Sequence, residues 1–217
     1  MLEFNILPDK QTHVRIREVE YADLPLLVEL EKVWPETARA SEAMLKWRID
    51  KFKAGYFVVE NEVDLIGSIL SCPYDYQPQD LRNFKNWETV MHAGYEEAQT
   101  SQGNALYIVS GTSKASHLFG LAVRHVAEFA KTLGKKYVVA GCVLPGYLKY
   151  IELHGEISAA DYVFLQNKNR FVDPFIEKYS RQGYLVPDKN HVFANYFTDT
   201  NSLHHAALVV KNLMDHD

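Results

Sequence analysis

The stretch VSGTSKASHLFG, Val109 to Gly120, separates a short apolar run from the most regular helical pattern in the chain. Upstream, ALYIVS (Ala105 to Ser110) reads as a strand. Downstream, Leu118, Leu121, Ala122, His125, Val126, Phe129, Ala130 and Leu133 recur at i, i+3, i+4 and i+7, the spacing of one helix face. Gly134 supplies the stop, with Lys131 in the last turn and Lys135 and Lys136 just beyond it, beside the negative end of the helix dipole. KYVVAGCVL, Lys136 to Leu144, then returns as a nearly continuous apolar strand of the kind buried on both faces. The whole is a strand, loop, helix, strand unit with a right-handed crossover as its default.

The loop itself is built of small and hydroxyl residues around one lysine. A loop that ends at a helix N-terminus presents unpaired backbone N–H groups and the positive end of the macrodipole, which predicts a cradle for an anion such as a phosphate. Ser110, Thr112, Ser113 and Ser116 add hydroxyls and Lys114 adds a charge. The alternative is that Ser113 or Ser116 caps the helix and the rest is a solvated turn. Neither a GxxxxGK[ST] loop nor a GxGxxG fingerprint is present.

Working outward, His13 to Val19 alternates as a first strand, followed by a helix from Asp23, as N-cap, to about Trp34. A second helix opens at Ser41 and runs to Phe52, with Leu45, Ile49 and Phe52 on one face. GYFVVE and LIGSIL form a hairpin across the Asn61 to Asp64 turn. From Cys72 to Asn104 the pattern weakens into an insertion, a PYDYQPQD loop and a helix within WETVMHAGYEEAQT. The segment from Leu148 to Val172 is long for a connection and carries Tyr150, Tyr162, Phe164 and Phe171, which line an acceptor pocket or anchor the insertion.

Composition bounds the function classes. A chain of 217 residues with 47% hydrophobic content is expected to be one globular domain, 1–217, with insertions at about 72–104 and 145–172. No run approaches a membrane span and the N-terminus lacks the order of a signal peptide, so a cytoplasmic protein with no membrane partner is expected. Cys72 and Cys142 are too few for a disulfide framework and belong to no CxxC pair. A net charge of −5 without a basic block argues against nucleic acid as partner. No HExxH or spaced Cys/His set appears, and His204-His205 and His154 with Glu156 are too sparse, so no metal is expected.

The order of elements, with this loop before a long helix, resembles the GNAT superfamily of acyl-CoA-dependent N-acyltransferases. In that family the fourth strand leads through a V-x-x-x-x-[RQ]-x-x-G-x-[GA] loop, where Val109 and Lys114 hold the first two positions and His117 and Phe119 replace the glycines. KYSRQGY near the C-terminus is similar to the family's LYEKLGF and puts Tyr179 at its tyrosine, with Gly183-Tyr184 as the ending. A GNAT subgroup whose members are sometimes fused to a carbon-nitrogen hydrolase domain is more similar still, through Gly146-Tyr147, Ser158-Ala159-Ala160-Asp161-Tyr162-Val163, Asp173-Pro174, Asn195-Tyr196 and Ser202-Leu203 in that order. A hydrolase domain does not fit in 217 residues.

The resemblance implies an α/β fold: a central, mostly antiparallel sheet with a splayed parallel pair formed by the family's fourth and fifth strands, and helices on both faces. It implies acetyl-CoA or another acyl-CoA as co-substrate, with Val109, Gly111, Lys114, Ala115, Ser116, His117, Phe119 and Gly120 around its pyrophosphate. The acyl group would pass to a primary amine of a small-molecule acceptor. A backbone N–H near Val109 would hold the oxyanion and Tyr179 would protonate the departing sulfur. The general base varies in the family, and Glu60, Glu96 and Glu97 are candidates, Glu60 first. Tyr107 and Cys142 line the cleft between the splayed strands or pack as core. A non-catalytic acyl-CoA-binding module, transfer from an acyl carrier protein, and a homodimer stay open.

Overall fold

The computed structural model describes residues 2–5, 13–34, 36, 39–82, 84–98, 103–115 and 117–214, with backbone alone at 2–5 and 93–98. Its strands are β1 (Leu2–Asn5), β2 (His13–Glu18), β3 (Tyr56–Glu60), β4 (Leu65–Tyr74), β5 (Ala105–Ser113), β6 (Tyr137–Val143), β7 (Gln166–Asn167), β8 (Arg170–Phe171), β9 (Val192–Phe193) and β10 (Ala206–Asn212). Its helices are α1 (Leu24–Glu31), α2 (Glu42–Phe52), α3 (Trp87–Ala98), α4 (Leu118–Thr132), α5 (Tyr147–His154), α6 (Ala159–Tyr162) and α7 (Pro174–Ser180). Among the described residues eight strands form one sheet in the order β1-β2-β3-β4-β5-β6-β10-β9, while β7 and β8 pair separately. Every neighbouring pair in the large sheet is antiparallel except β5 with β6. This is the α/β architecture expected from the sequence, extended at one edge by β1.

Each face of the sheet carries its own core. Leu27 and Leu30 of α1, Leu45 and Ile49 of α2, and Val90 and Met91 of α3 bury one face together with Val58, Leu70 and Tyr107. Leu121, Val126 and Ala130 of α4 and Ile176 and Tyr179 of α7 bury the other, with Ile69, Ile108 and Ala140. The alternation along β5, with Tyr107 to one core and Ile108 to the other, follows from the period-2 geometry of a strand.

Several local signals act as expected. Ser41 caps α2 by accepting from Met44 N at 3.2 Å. Gly134, at φ 66°, ends α4, its N–H bonding Lys131 O while Lys135 N bonds Ala130 O, a paired closure that spares the last carbonyls. Other boundaries move. Asp23 is not a side-chain cap for α1, because its carboxylate takes both guanidinium nitrogens of Arg17 at 2.7 and 2.8 Å. The helix ends at Glu31 rather than Trp34. β4 runs on to Tyr74, into the expected loop, since Tyr74, Tyr76 and Phe84 find burial against the sheet. β5 runs three residues beyond Ser110, to Ser113, because β4 offers it a partner.

Candidate active site

β5 and β6 part where their ladder ends. Their last parallel pair is Ile108 with Ala140. Beyond it β5 stays with β4, while Gly141, Cys142 and Val143 of β6 pair only with Leu208, Ala207 and Ala206 of β10. The β4–β5 register shifts between Leu70 and Ser71: Ser110 faces Leu70 and Ile108 faces Ser71, so Val109 is the extra residue of a bulge. An opening results, walled by two strand edges whose peptide groups have no strand partner, and such edges accept an extended chain as an added strand.

On the α4/α7 side the opening is lined by Cys142 and Tyr179, both buried in the same core cluster. The Tyr179 ring meets Phe119 edge-on at 4.8 Å and Tyr184 at 5.4 Å. Burial pushes the Tyr179 phenol and the Cys142 thiol well above their ordinary values, so both stay protonated at neutral pH. Among the described residues the Tyr179 hydroxyl has no hydrogen-bond partner. The helix that carries it is fixed by Asp173. One Asp173 oxygen accepts from Phe175 N (2.9 Å) and Ile176 N (3.2 Å), the other from Gly146 N (3.1 Å) and Tyr162 Oη (3.2 Å). Gly146 allows this approach, since a Cβ there would stand 2.5 Å from the Tyr162 hydroxyl. Burial raises the Asp173 pKa against the pull of these bonds.

On the α1/α2/α3 side the groups are polar and mostly interlocked. Tyr107 and Tyr196 join hydroxyl to hydroxyl. Two hydroxyls share one bond, which leaves a second proton without an acceptor among the described residues. Asn195, at φ 55°, turns the chain so that Tyr196 reaches over Gly141, where a Cβ would meet its hydroxyl at 2.0 Å. Phe84 stacks on Tyr196 at 5.4 Å and 12°. Trp87 Nε1 donates to the carbonyl of the bulge residue Val109 at 2.7 Å. Trp34 Nε1 donates to Thr112 Oγ1 (2.8 Å), which donates to Glu31 Oε1 (3.2 Å), while Ala40 N donates to Glu31 Oε2 (2.7 Å). Buried Arg48 lies over the Trp87 ring at 5.8 Å.

No protein-family model matches the chain, and no curated protein matches it in sequence. Solved structures do match in three dimensions. The loading GNATL domain of CurA from Lyngbya majuscula superposes with a TM-score of 0.76 at 21% identity, over 92% of this chain and 98% of that one. The GphF GNAT-like decarboxylase in complex with isobutyryl-CoA gives 0.75 at 22% identity, over 92% and 99%. The ribosomal-protein-S18-alanine N-acetyltransferase from Escherichia coli gives 0.54 at 11% identity, over 94% and 96%. The chain has the GNAT fold.

On this GNAT fold the residues expected around a pyrophosphate are scattered in role. Gly111 lies inside the β4–β5 ladder opposite Ile69, and Val109 is the bulge. Lys114 sends its N–H to Ile66 O and its ammonium to Asp64 in the β3–β4 turn. Ala115 shares a tight turn with Ser113, and Ser116 lies outside the described residues. His117 is exposed at the start of α4 with no side-chain cap bond. Phe119 packs on Tyr179 instead of facing solvent, and Gly120 sits against Gln182, at 3.0 Å from a Cβ placed there. The loop expected beyond Ser110 is thus strand as far as Ser113, and the peptide groups on its β4 edge belong to the ladder.

Glu60, expected as base, instead takes Arg17 Nε at 2.9 Å and Arg15 Nη1 at 3.5 Å. Both Glu60 oxygens are engaged by guanidiniums of β2, and β3 is separated from the β5–β6 opening by β4, so Glu60 is set aside in that role. Glu96 and Glu97 lie on α3 with side chains outside the described residues. Tyr107 and Cys142 both flank the opening, on opposite faces. Tyr162 anchors its insertion, buried with its hydroxyl on Asp173. Among the described residues no group of three His, Cys, Asp or Glu side chains is placed to hold a metal, and no helix is long and apolar enough to cross a membrane.

The residues that sequence reasoning missed are Glu31, Arg48, Trp34 and Trp87, while Thr112, expected as a loop hydroxyl toward an anion, instead bonds Glu31 and Trp34. A signal existed for two of them. Arg48 follows Leu45 by three on the apolar stripe of α2, and Glu31 follows Leu27 by four on that of α1, so each is a charge at a core position.

Proposed function

We propose that the chain is an N-acyltransferase that moves an acetyl or longer acyl group from acyl-CoA to the primary amine of a small molecule. The parting of β5 from β6 at the Val109 bulge carries the reading. The pantetheine arm is an extended chain with two amides, and it fits the two unpaired strand edges as an added strand. The thioester then lies between Tyr179 and Val109. The amine attacks the carbonyl carbon, the Val109 N–H holds the oxyanion, and the tetrahedral adduct expels the thiolate, which takes the Tyr179 proton. The proton shed by the attacking nitrogen returns through solvent to the Tyr179 phenolate, so the amide and free thiol leave with no net change in the protein. Burial keeps the Tyr179 phenol protonated, and among the described residues no partner competes for its proton. The same burial makes it a weaker acid, so the proton moves only as the thiolate forms beside it.

The test is calorimetric titration with acetyl-CoA and a longer acyl-CoA, followed by thiol-release assays across an amine panel. Micromolar binding with Tyr179→Phe releasing thiol at least tenfold more slowly at unchanged affinity supports the reading. Absence of binding overturns it.

A second reading has the acyl group delivered on, or loaded onto, a carrier protein. It is favoured by the absorption of Ser110 to Ser113 into the ladder, since a carrier arm brings one phosphate where coenzyme A brings a pyrophosphate. The CurA structure is named as a loading domain. Acyl transfer to or from a carrier protein, with no turnover of free acyl-CoA and amines, selects this reading.

A further inference from the structure

We propose that Arg48 anchors a carboxylate carried by the substrate on the α1/α2 face of the opening, an inference that rests on the thioester entering between β5 and β6. Arg48 is 4% exposed, and its Nε is sealed from solvent with no partner. Among the described residues its guanidinium makes no hydrogen bond and no ion pair, only the contact with Trp87. Arg17 shows the ordinary arrangement, with its fork on Asp23 and Glu60. A buried guanidinium whose Nε has no acceptor is unfavourable unless an anion completes it.

The neighbouring carboxylate does not fill that role. Both oxygens of Glu31 are taken, by Thr112 and by the Ala40 N–H. Tyr56, buried and with its pKa pushed up to about 12 chiefly by that burial, feels Arg48, Glu31 and Asp23 at once. One guanidinium with the Glu31 carboxylate nearby matches a singly charged ligand better than a phosphate. A planar fork beside a flat indole is suited to a bidentate carboxylate.

Position supplies the link to chemistry. The Trp87 ring that Arg48 covers also holds the Val109 carbonyl, so one indole separates the guanidinium from the bulge where the thioester carbonyl lies. A carboxylate at Arg48 is a few bonds from the reacting carbon. It belongs either to an amine acceptor that is an amino acid or to an acyl chain that ends in a carboxylate.

The experiment compares wild type with Arg48→Met and Arg48→Lys. Carboxyacyl-CoAs of three to five carbons are titrated against the matching neutral acyl-CoAs, and thiol release is followed with amino acids against their amides. Wild type should favour the carboxylate member of one pair by about 10- to 100-fold, Arg48→Met should erase that ratio while neutral acyl-CoA binds as before, and Arg48→Lys should restore part of it. Preference in the first pair places the carboxylate on the acyl chain, and in the second on the acceptor. No preference in wild type, or a preference that survives Arg48→Met, overturns the proposal. Thermal shifts with malonate, succinate and glutarate separate the two readings. If no acyl-CoA binds but dicarboxylates stabilise wild type and not Arg48→Met, the carboxylate site stands and the acyl-CoA reading falls. If acyl-CoA binds and no carboxylate discriminates, the reverse holds.

Discussion

The two faces of the opening between β5 and β6 are built from opposite materials. On the α4/α7 face Tyr179 and Cys142 stand among apolar side chains and stay protonated; among the described residues the Tyr179 hydroxyl has no hydrogen-bond partner, while Cys142 Sγ donates to the Val143 carbonyl at 3.4 Å. On the other face Trp34, Thr112 and Glu31 are locked to one another and Tyr107 to Tyr196, and the Arg48 Nε has no acceptor among the described residues. An apolar wall stores a proton for a leaving group. A polar wall with one open cation selects what enters. Most residues that carry the family resemblance sit on and behind the first wall, whereas of the second wall only Tyr196 belongs to it.

The contrast can be broken most severely at Gly141, which lets Tyr196 lie over the opening. Gly141→Ala forces the ring away and parts the hydroxyl pair, an expected loss of about 3–4 kcal/mol in chemical denaturation. In a Tyr196→Ala background the same substitution should cost under about 1 kcal/mol, and equal costs in both backgrounds would refute the contact. Next, Asp173→Ala removes the acceptor of four donors and the cap of α7, for about 2–3 kcal/mol, with thiol release falling further because Tyr179 loses its support.

Tyr179→Phe sharpens the contrast without disturbing the fold. Stability should stay within about 0.5 kcal/mol, as no bond is lost, while turnover falls about 100-fold. Acid sensitivity belongs to a third place, the Arg17–Asp23 pair. Burial opposes ionisation of Asp23, but Arg17 and the Glu20 N–H outweigh it and lower its pKa from the usual 3.8. A depressed carboxylate stabilises the fold above its unfolded pKa, and that stability is lost as pH falls through the folded value. Melting curves of Asp23→Asn should therefore be flatter than wild type below about pH 4. The smallest effect is expected at Lys114. Its ammonium is exposed on Asp64, so Lys114→Ala should weaken coenzyme A binding by less than about fivefold.

How much was legible varied with the range of the interaction. α2 with its Ser41 cap, α4 with its Gly134 stop, and the strand-helix-strand unit around them follow from periodicity and caps, which act within a few residues. The end of β5 did not, because Gly111 to Ser113 carry no strand signal of their own and become strand only through β4. Glu60 looked like a free acid at a strand end until Arg15 and Arg17, over 40 residues away in sequence, came beside it. Tyr196 gave no sign of reaching Tyr107, 89 positions away.

By itself the sequence determined the alternation of elements and the crossover that makes β5 and β6 parallel, both of which rest on side-chain period and backbone capping, which are local. Tyr179 came from the resemblance of KYSRQGY to a family motif and from no local rule. The tertiary structure decided which polar groups are buried, which are paired and which is left over. Burial and partnership depend on what the rest of the chain brings within a few ångströms, and for that reason Arg48, without an acceptor among the described residues, is visible only in the folded molecule.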